Sequence, residues 1–290
     1  MTFRSLLFVP GDSERKMVKA ETSGADALVL DLEDAVEVSR LPVARQMVHD
    51  YLKQRQDRRQ KLWVRINPLD TALALDDLAA VVKAAPDGIL LPKGSSAQEI
   101  VRLGFFLDAL EARDGVEKGA IAIMPVATET PSALFSLGGY KDCSPRLHAL
   151  TWGAEDLAAA IGASTNRVEN GEYEFTYQLA RSLCLLGAHA AGVPAIDTVW
   201  SNFRDKEGLE KDAIRARKAG FSGKIAIHPD QIAIINQAFT PDAAELNYAK
   251  AVVEAFEKAD GAGTVQLEGQ MLDRPHLKQA MQILARMEQA

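Results

Sequence analysis

Short apolar runs alternate with longer amphipathic stretches along almost the whole chain. The segments FRSLLFV at 3–9, DALVLDL at 26–32, KLWVRIN at 61–67 and DGILLP at 87–92 read as strands. So do AIAIMPVA at 120–127, LHALTWG at 147–153, AIDTVW at 195–200 and KIAIHP at 224–229. Each run is nearly continuously apolar, which suits a parallel sheet buried on both faces. Pro10-Gly11 stops the first strand, and Asp12 or Ser13 can cap a helix running to about Ser23. Further helices are predicted from about Pro42, over 76–84, from a Ser96 cap to about Arg113, and from Thr130-Pro131, where proline suits the first helical position. A longer helical section, interrupted around 166–171, follows the sixth strand, and another helix is expected over 206–219.

About eight strand–helix units predict a (β/α)8 TIM barrel rather than an open doubly wound sheet. No GxGxxG follows a strand and no P-loop is present, so a dinucleotide fold has no direct support. Residues 1–235 are expected to form the barrel and 236–290 a C-terminal helical extension. Within that extension the pattern predicts a helix over 247–259, a loop with a short strand pair over 260–273, and an amphipathic helix over 274–290.

The length of 290 residues allows either two modest domains or one barrel with an extension. Hydrophobic residues at 47% and charged residues at 25% are ordinary for a globular chain and argue against disorder. The net charge of −7 and a pI near 5.4 argue against nucleic acid as a partner, because a backbone binder needs a basic face. Two cysteines, Cys143 and Cys184, are too few for a disulfide framework or a common zinc cluster, and neither has a neighbouring base to make a nucleophile. The first apolar run is too short for a signal peptide, and no run reaches the roughly 18 residues of a membrane span. A cytoplasmic protein without a membrane partner is expected.

In such a barrel the chemistry sits at the C-terminal ends of the strands. Asp31, Glu33 and Asp34 fall there after strand two, Arg65 and Asn67 after strand three, and Lys93 after strand four. Thr128, Glu129 and Thr130 follow strand five, and Glu155 and Asp156 strand six; Asp197 lies within strand seven and His228 ends strand eight. Glu129 and Asp156 are 27 residues apart, one strand–helix unit, and should face one mouth. Each could simply cap a helix. As a pair, completed by waters and substrate oxygens, they suit Mg2+. Arg65 could pair with Asp31 or Asp34, or its planar fork could grip a substrate carboxylate. Lys93 reads equally as a solvated side chain, and His228 as a structural histidine, so neither receives a role.

These segments resemble the citrate lyase β-subunit-like family, within the HpcH/HpaI aldolases and malyl-CoA lyases. The resemblance rests on RSLLFVPGD at 4–12, SGADALVLDLEDAV at 23–36, WVRIN at 63–67, LLPK at 90–93, ATET at 127–130 and TWGAEDLAAAIG at 151–162. It continues through AIDTVW at 195–200, GFSGKIAIHPDQI at 220–232 and GQMLDRPHLKQA at 269–280, covering nearly the whole chain in order. It implies a TIM barrel in trimers or hexamers, with Mg2+ held by Glu129 and Asp156. Arg65 is then the residue that binds the 2-oxo acid and polarises its carbonyl. The CoA-dependent members use an aspartate from a neighbouring subunit, which is Asp273 here. Pro10-Gly11 is expected to border the CoA site, with Arg4 and Arg40 as phosphate contacts. Arg40 stands where many members carry Lys, and Glu33-Asp34 stand where the hydroxy-acid aldolases carry a Glu-His pair, which argues against that branch.

The implied reaction is reversible cleavage of a β-hydroxyacyl-CoA thioester of the malyl-CoA or citramalyl-CoA type, giving acetyl-CoA and a 2-oxo acid. Asp273 is the candidate base toward acetyl-CoA in the reverse direction. The alternatives are a malyl-CoA-type thioesterase and a citrate lyase β subunit acting on a citryl-acyl-carrier-protein. The sequence does not distinguish glyoxylate, pyruvate and oxaloacetate as the 2-oxo acid.

Overall fold

A computed structural model describes residues 3–55, 59–169, 171–259 and 262–288. Parts of three expectations, at Asn170, at 260–261 and at 289–290, lie outside these residues. The parallel strands are β1 (Ser5–Pro10), β2 (Ala27–Asp31), β3 (Lys61–Arg65), β4 (Gly88–Leu91), β5 (Ala122–Pro125), β6 (Leu150–Thr151), β7 (Ala195–Asp197) and β8 (Gly223–Ala226). Their order is β5-β4-β3-β2-β1-β8-β7-β6. Parallel bridges Ile123–Leu147 and Val126–Thr151, with hydrogen bonds from Ile123 N to Arg146 O and from Ala127 N to Thr151 O, join the two outermost strands. The sheet is therefore a (β/α)8 barrel, as the alternation of elements predicts.

The helices between strands are α1 (Glu14–Ala20), α2 (Leu41–Gln54), α3 (Leu73–Val81), α4 (Ala97–Asp114), α5 (Pro131–Leu134), α6 (Glu155–Ala160), α7 (Phe175–Ala190) and α8 (Lys206–Ala219). Strand side chains alternate between two cores, since successive residues point to opposite faces. Ala27, Val29, Trp63, Leu90 and Ile225 fill the barrel, while Leu28, Leu30, Leu62 and Val64 pack against the helices. The Trp63 indole takes so much of the interior that β4 must open with Gly88. A Cβ there would lie 2.4 Å from the ring. The same parity carries β2 from Val29 to Asp31 and β3 from Trp63 to Arg65, which puts both polar side chains inside the barrel at its C-terminal mouth.

After β8 come α9 (Ile232–Ala238), α10 (Ala243–Lys258), the antiparallel hairpin β9 (Thr264–Leu267) and β10 (Gln270–Asp273), and α11 (Arg274–Glu288). Ile232, Ile235 and Phe239 still belong to the main core. Ala249, Val252, Phe256, Leu272 and Ala280 form a small core of their own. We therefore propose that the extension begins near Thr240, a few residues past the expected boundary at 235.

Candidate active site

The mouth of the barrel gathers charge. Arg65 donates Nε to Asp31 Oδ1 at 2.7 Å and Nη2 to Asp31 Oδ2 at 2.6 Å. Its Nη1 lies 2.9 Å from Glu33 Oε2, without the alignment of a hydrogen bond. The guanidinium also sits over the Phe8 ring, 4.5 Å from its centre. Burial opposes the Arg65 charge, but the Asp31 hydrogen bonds and the surrounding carboxylates outweigh it and raise its pKa. The pairing with Asp31 that the sequence allowed is thus present. A guanidinium has five N–H donors, and Asp31 takes two of them. The side chain lines the mouth cavity of about 400 Å³, so the others can serve a ligand.

Glu129 and Asp156 line that same cavity from the ends of β5 and β6. Glu129 is only 5% exposed, and its Oε2 accepts the Lys93 amide at 2.5 Å. Gly153 makes room for it: a Cβ there would lie 2.9 Å from Glu129 Cγ and 3.1 Å from Oε1. Burial raises the Glu129 pKa to about 8 despite the Lys93 amide, and Asp156 and Glu33 add repulsion. A buried carboxyl repelled by its neighbours is relieved by a cation. Among the described residues no set of three or more His, Cys, Asp or Glu side chains converges on a metal position. Two carboxylates that leave the other positions to water and ligand oxygens fit Mg2+ better than a transition metal. Lys93 is held rather than free in solvent. Its ammonium pairs with Glu33 and lies 3.5 Å from both Asp34 Oδ1 and Asp156 Oδ1.

A second cavity, of about 460 Å³, shares Phe8, Pro10 and Ile227 with the mouth and is lined by Arg15, Lys16 and Lys19 of α1. Sequence reasoning missed these three. The available signal was a basic cluster one turn after the Pro10-Gly11 stop, on the helix leading away from the mouth. Pro10 borders both cavities. Arg4 does not. It precedes β1, a strand length of roughly 20 Å from the mouth, and donates Nε and Nη2 to the Asp26 carboxylate on the opposite rim. Arg40 donates Nε to Asp12 Oδ2 at 2.7 Å and braces the turn before α1 from outside, and it lines neither cavity. Gly11 also serves packing rather than ligand approach: its N–H reaches Asp31 O at 2.8 Å, and a Cβ would sit 2.6 Å from that oxygen.

Asp197, within strand seven as expected, does not face the mouth. It faces the helix layer, fully buried, and accepts Lys224 Nζ at 2.7 Å, Arg181 Nη2 at 2.8 Å and Trp152 Nε1 at 2.7 Å. It reaches the mouth only by holding the indole N–H of Trp152, which lines that cavity. His228 caps the turn after β8, with Nδ1 accepting the Asp230 amide, and stacks on Phe203 at 4.8 Å. Asp273 ends β10, half exposed, with Oδ1 2.5 Å from His276 Nδ1, and lines neither cavity of its own chain. Both cysteines are free: Cys184 is buried and Cys143 half-buried.

Residues 4–229 match the model of the HpcH/HpaI aldolase/citrate lyase family. The chain belongs to this family. Citrate lyase subunit beta of Haemophilus influenzae is 34% identical over 285 residues, 98% of this chain and 96% of that protein. The (3S)-malyl-CoA thioesterase of Cereibacter sphaeroides is also 34% identical, over 289 residues, 99% of this chain and 95% of that protein. Protein CitE of Mycobacterium tuberculosis, solved with magnesium, acetoacetate and coenzyme A, superposes with a TM-score of 0.81 at 31% identity and 98% coverage of both chains. A citrate lyase beta subunit from the same organism, solved with oxaloacetate and magnesium, gives 0.70 at 31% identity over 83% of this chain and 98% of that one. Among the described residues of this family member, no helix is long and apolar enough to cross a membrane.

Proposed function

We propose that this protein is a cytoplasmic, Mg2+-dependent carbon–carbon lyase. It reversibly cleaves a β-hydroxyacyl-CoA thioester of the malyl-CoA or citramalyl-CoA type into acetyl-CoA and a 2-oxo acid. One observation carries the reading. Glu129, Asp156 and the donors of Arg65 converge on a single mouth that shares a wall with a basic cavity. The solved relatives that hold magnesium with coenzyme A or with oxaloacetate support it.

Glu129 and Asp156 would hold the metal. When bound, Mg2+ supplies Lewis acidity toward the oxygens of the 2-oxo acid and its alkoxide precursor. Arg65, kept charged by Asp31, directs its remaining N–H donors at the same acid and stabilises negative charge where it develops. Phe8, Val126 and Trp152 give that space apolar walls and keep water from the carbanion-like fragment. Arg15, Lys16 and Lys19 offer the phosphates of CoA three cations beside the mouth. In the condensing direction a carboxylate must take a proton from acetyl-CoA. Asp273 is the proposed base, delivered by a neighbouring subunit of a homotrimer or hexamer, because it lines neither the mouth cavity nor the basic cavity beside it.

A thioesterase outcome is the second reading, favoured by the 34% identity to the malyl-CoA thioesterase. The equal identity to citrate lyase subunits leaves an acyl-carrier-protein thioester as the other carrier. Malyl-, methylmalyl-, citramalyl- and citryl-thioesters should each be incubated with Mg2+ and the products separated. Acetyl-CoA (or a homologue) plus a 2-oxo acid is the expected result for at least one CoA substrate. Free CoA with the intact hydroxy acid would move the assignment to the thioesterase, and turnover of carrier-protein thioesters alone to the citrate lyase subunit.

A further inference from the structure

One residue touches both candidate metal ligands. Lys93 gives its backbone N–H to Glu129 Oε2 at 2.5 Å, and its ammonium lies 3.5 Å from Asp156 Oδ1. The same ammonium pairs with the buried Glu33 and lies 3.5 Å from Asp34. Its backbone has φ +52°, the left-handed region that a residue with a Cβ adopts reluctantly. With that conformation the main chain and the side chain of Lys93 serve two different carboxylates on the neighbouring strand ends. No water-exposed lysine needs such an arrangement, and its side chain is only 34% exposed.

We propose that Lys93 is a built-in counter-cation of the metal site: its amide orients Glu129, its ammonium occupies the charge environment of Asp156 while no metal is bound, and it thereby limits how tightly a divalent cation is held. This rests on the reading of Glu129 and Asp156 as metal ligands. The physical argument is competition. Asp31, Glu33, Asp34, Glu129 and Asp156 crowd the mouth, with Arg65 and Lys93 as the cations among them. A divalent ion arriving between Glu129 and Asp156 meets the ammonium as a like charge, and Lys93 can keep its pairing with Glu33 as it gives up Asp156. Removing the ammonium removes that repulsion. Glu33 still has Arg65 Nη1 at 2.9 Å, so the substitution does not strip it of its last cation. Lys93 would thus set the metal affinity as a positioning residue, apart from any contact with substrate.

The test uses Mn2+ as a spectroscopic stand-in, with free ion counted by electron paramagnetic resonance and binding heats by calorimetry. The full chain is compared with Glu129→Gln, Lys93→Met, Lys93→Gln and Lys93→Arg, each checked for native circular dichroism and melting temperature. The wild type should take one Mn2+ per chain, and Glu129→Gln should weaken binding at least tenfold. If Glu129→Gln binds like the wild type, the ligand assignment fails and the Lys93 proposal with it. With that assignment standing, Lys93→Met and Lys93→Gln should bind Mn2+ about tenfold more tightly, the scale expected for one unit charge near a partly buried ion. Lys93→Arg, which keeps the charge, should stay within about threefold of the wild type. A lysine that merely supported the loop would give the opposite sign on removal. Unchanged or weaker Mn2+ binding in both neutral variants would therefore overturn the proposal while leaving the metal site intact.

Discussion

Replacing Asp197 should expose how strongly the barrel depends on one buried charge. Asp197 and Asp212 together neutralise Lys224 and Arg181: Lys224 Nζ lies 2.7 Å from each carboxylate, and Arg181 Nη1 lies 3.3 Å from Asp212. Burial opposes ionisation of Asp197, but Lys224 and Arg181 override it and hold the carboxyl below its ordinary range. In Asp197→Leu two cations share one carboxylate, and Lys224 has no exposure to water. Removing one partner of a buried pair costs about 3–5 kcal/mol. Unfolding entropy of about 2.1 cal/mol/K per residue gives roughly 0.6 kcal/mol/K for 290 residues. The melting temperature should therefore fall by about 5–8 °C in scanning calorimetry at neutral pH. The double variant Asp197→Leu, Lys224→Met leaves Arg181 with Asp212 as a neutral pair and should recover at least half of that loss. The indole N–H of Trp152 also loses its acceptor, so its emission should shift. A loss under about 1 kcal/mol in the single variant, or a double variant less stable than the single one, would refute this reasoning.

Three further outcomes follow from the site. Glu129 holds its proton up to about pH 8 in the folded protein against 4.5 in the ordinary state. The metal-free protein should therefore lose stability as pH rises from 4.5 to 8. Mg2+ affinity should grow about tenfold per pH unit up to about pH 7 and level off near pH 8, with calorimetry in buffers of different ionisation heat showing proton release. A flat pH profile would be inconsistent with this. The double variant Arg15→Ala, Lys19→Ala should raise KM for the CoA thioester at least tenfold with kcat little changed, whereas Arg4→Ala should lower the melting temperature and leave KM alone. The reverse pattern would restore Arg4 as a CoA contact. Mixing inactive Asp273→Asn and Glu129→Gln subunits under conditions of proven exchange should regain activity, since mixed oligomers contain sites with both carboxylates. No regain would count against a shared site.

The strands were legible because each is a short apolar run closed by a proline or a polar residue, and the helix over 206–219 matches Lys206–Ala219. The ends were less so. LHALTWG narrows to Leu150–Thr151, because Leu147 meets β5 through an isolated bridge rather than a ladder. The helix expected over 76–84 begins earlier, at Leu73, and gives way after Val81 to a 3-10 turn that ends at Ala85, φ +51°. The mouth residues could be found because strand ends fix their height along the barrel. Which face a side chain takes was hidden, since strands apolar on both faces carry no parity signal. Asp197 was placed within strand seven, where it lies, but its outward face was not readable, while its neighbour Ile196 points inward. The place of Arg4 before β1, on the rim away from the mouth, was already legible from its position in the chain. The left-handed backbone of Lys93 and its two-sided bonding have no sequence signature, and the role of Arg15, Lys16 and Lys19 depends on where β8 brings Ile227 and His228.

Glu129 and Asp156 are proposed to hold one divalent ion on which Arg65 presents a 2-oxo acid. The most direct measurement is an anomalous difference map from crystals grown with Mn2+ and pyruvate or oxaloacetate. The expected result is one strong peak per chain within about 2.0–2.3 Å of a carboxylate oxygen from each of Glu129 and Asp156, or joined to them through water. The oxo acid should complete the coordination and accept an N–H from Arg65. A metal bound elsewhere, or an oxo acid that does not contact Arg65, would contradict the account.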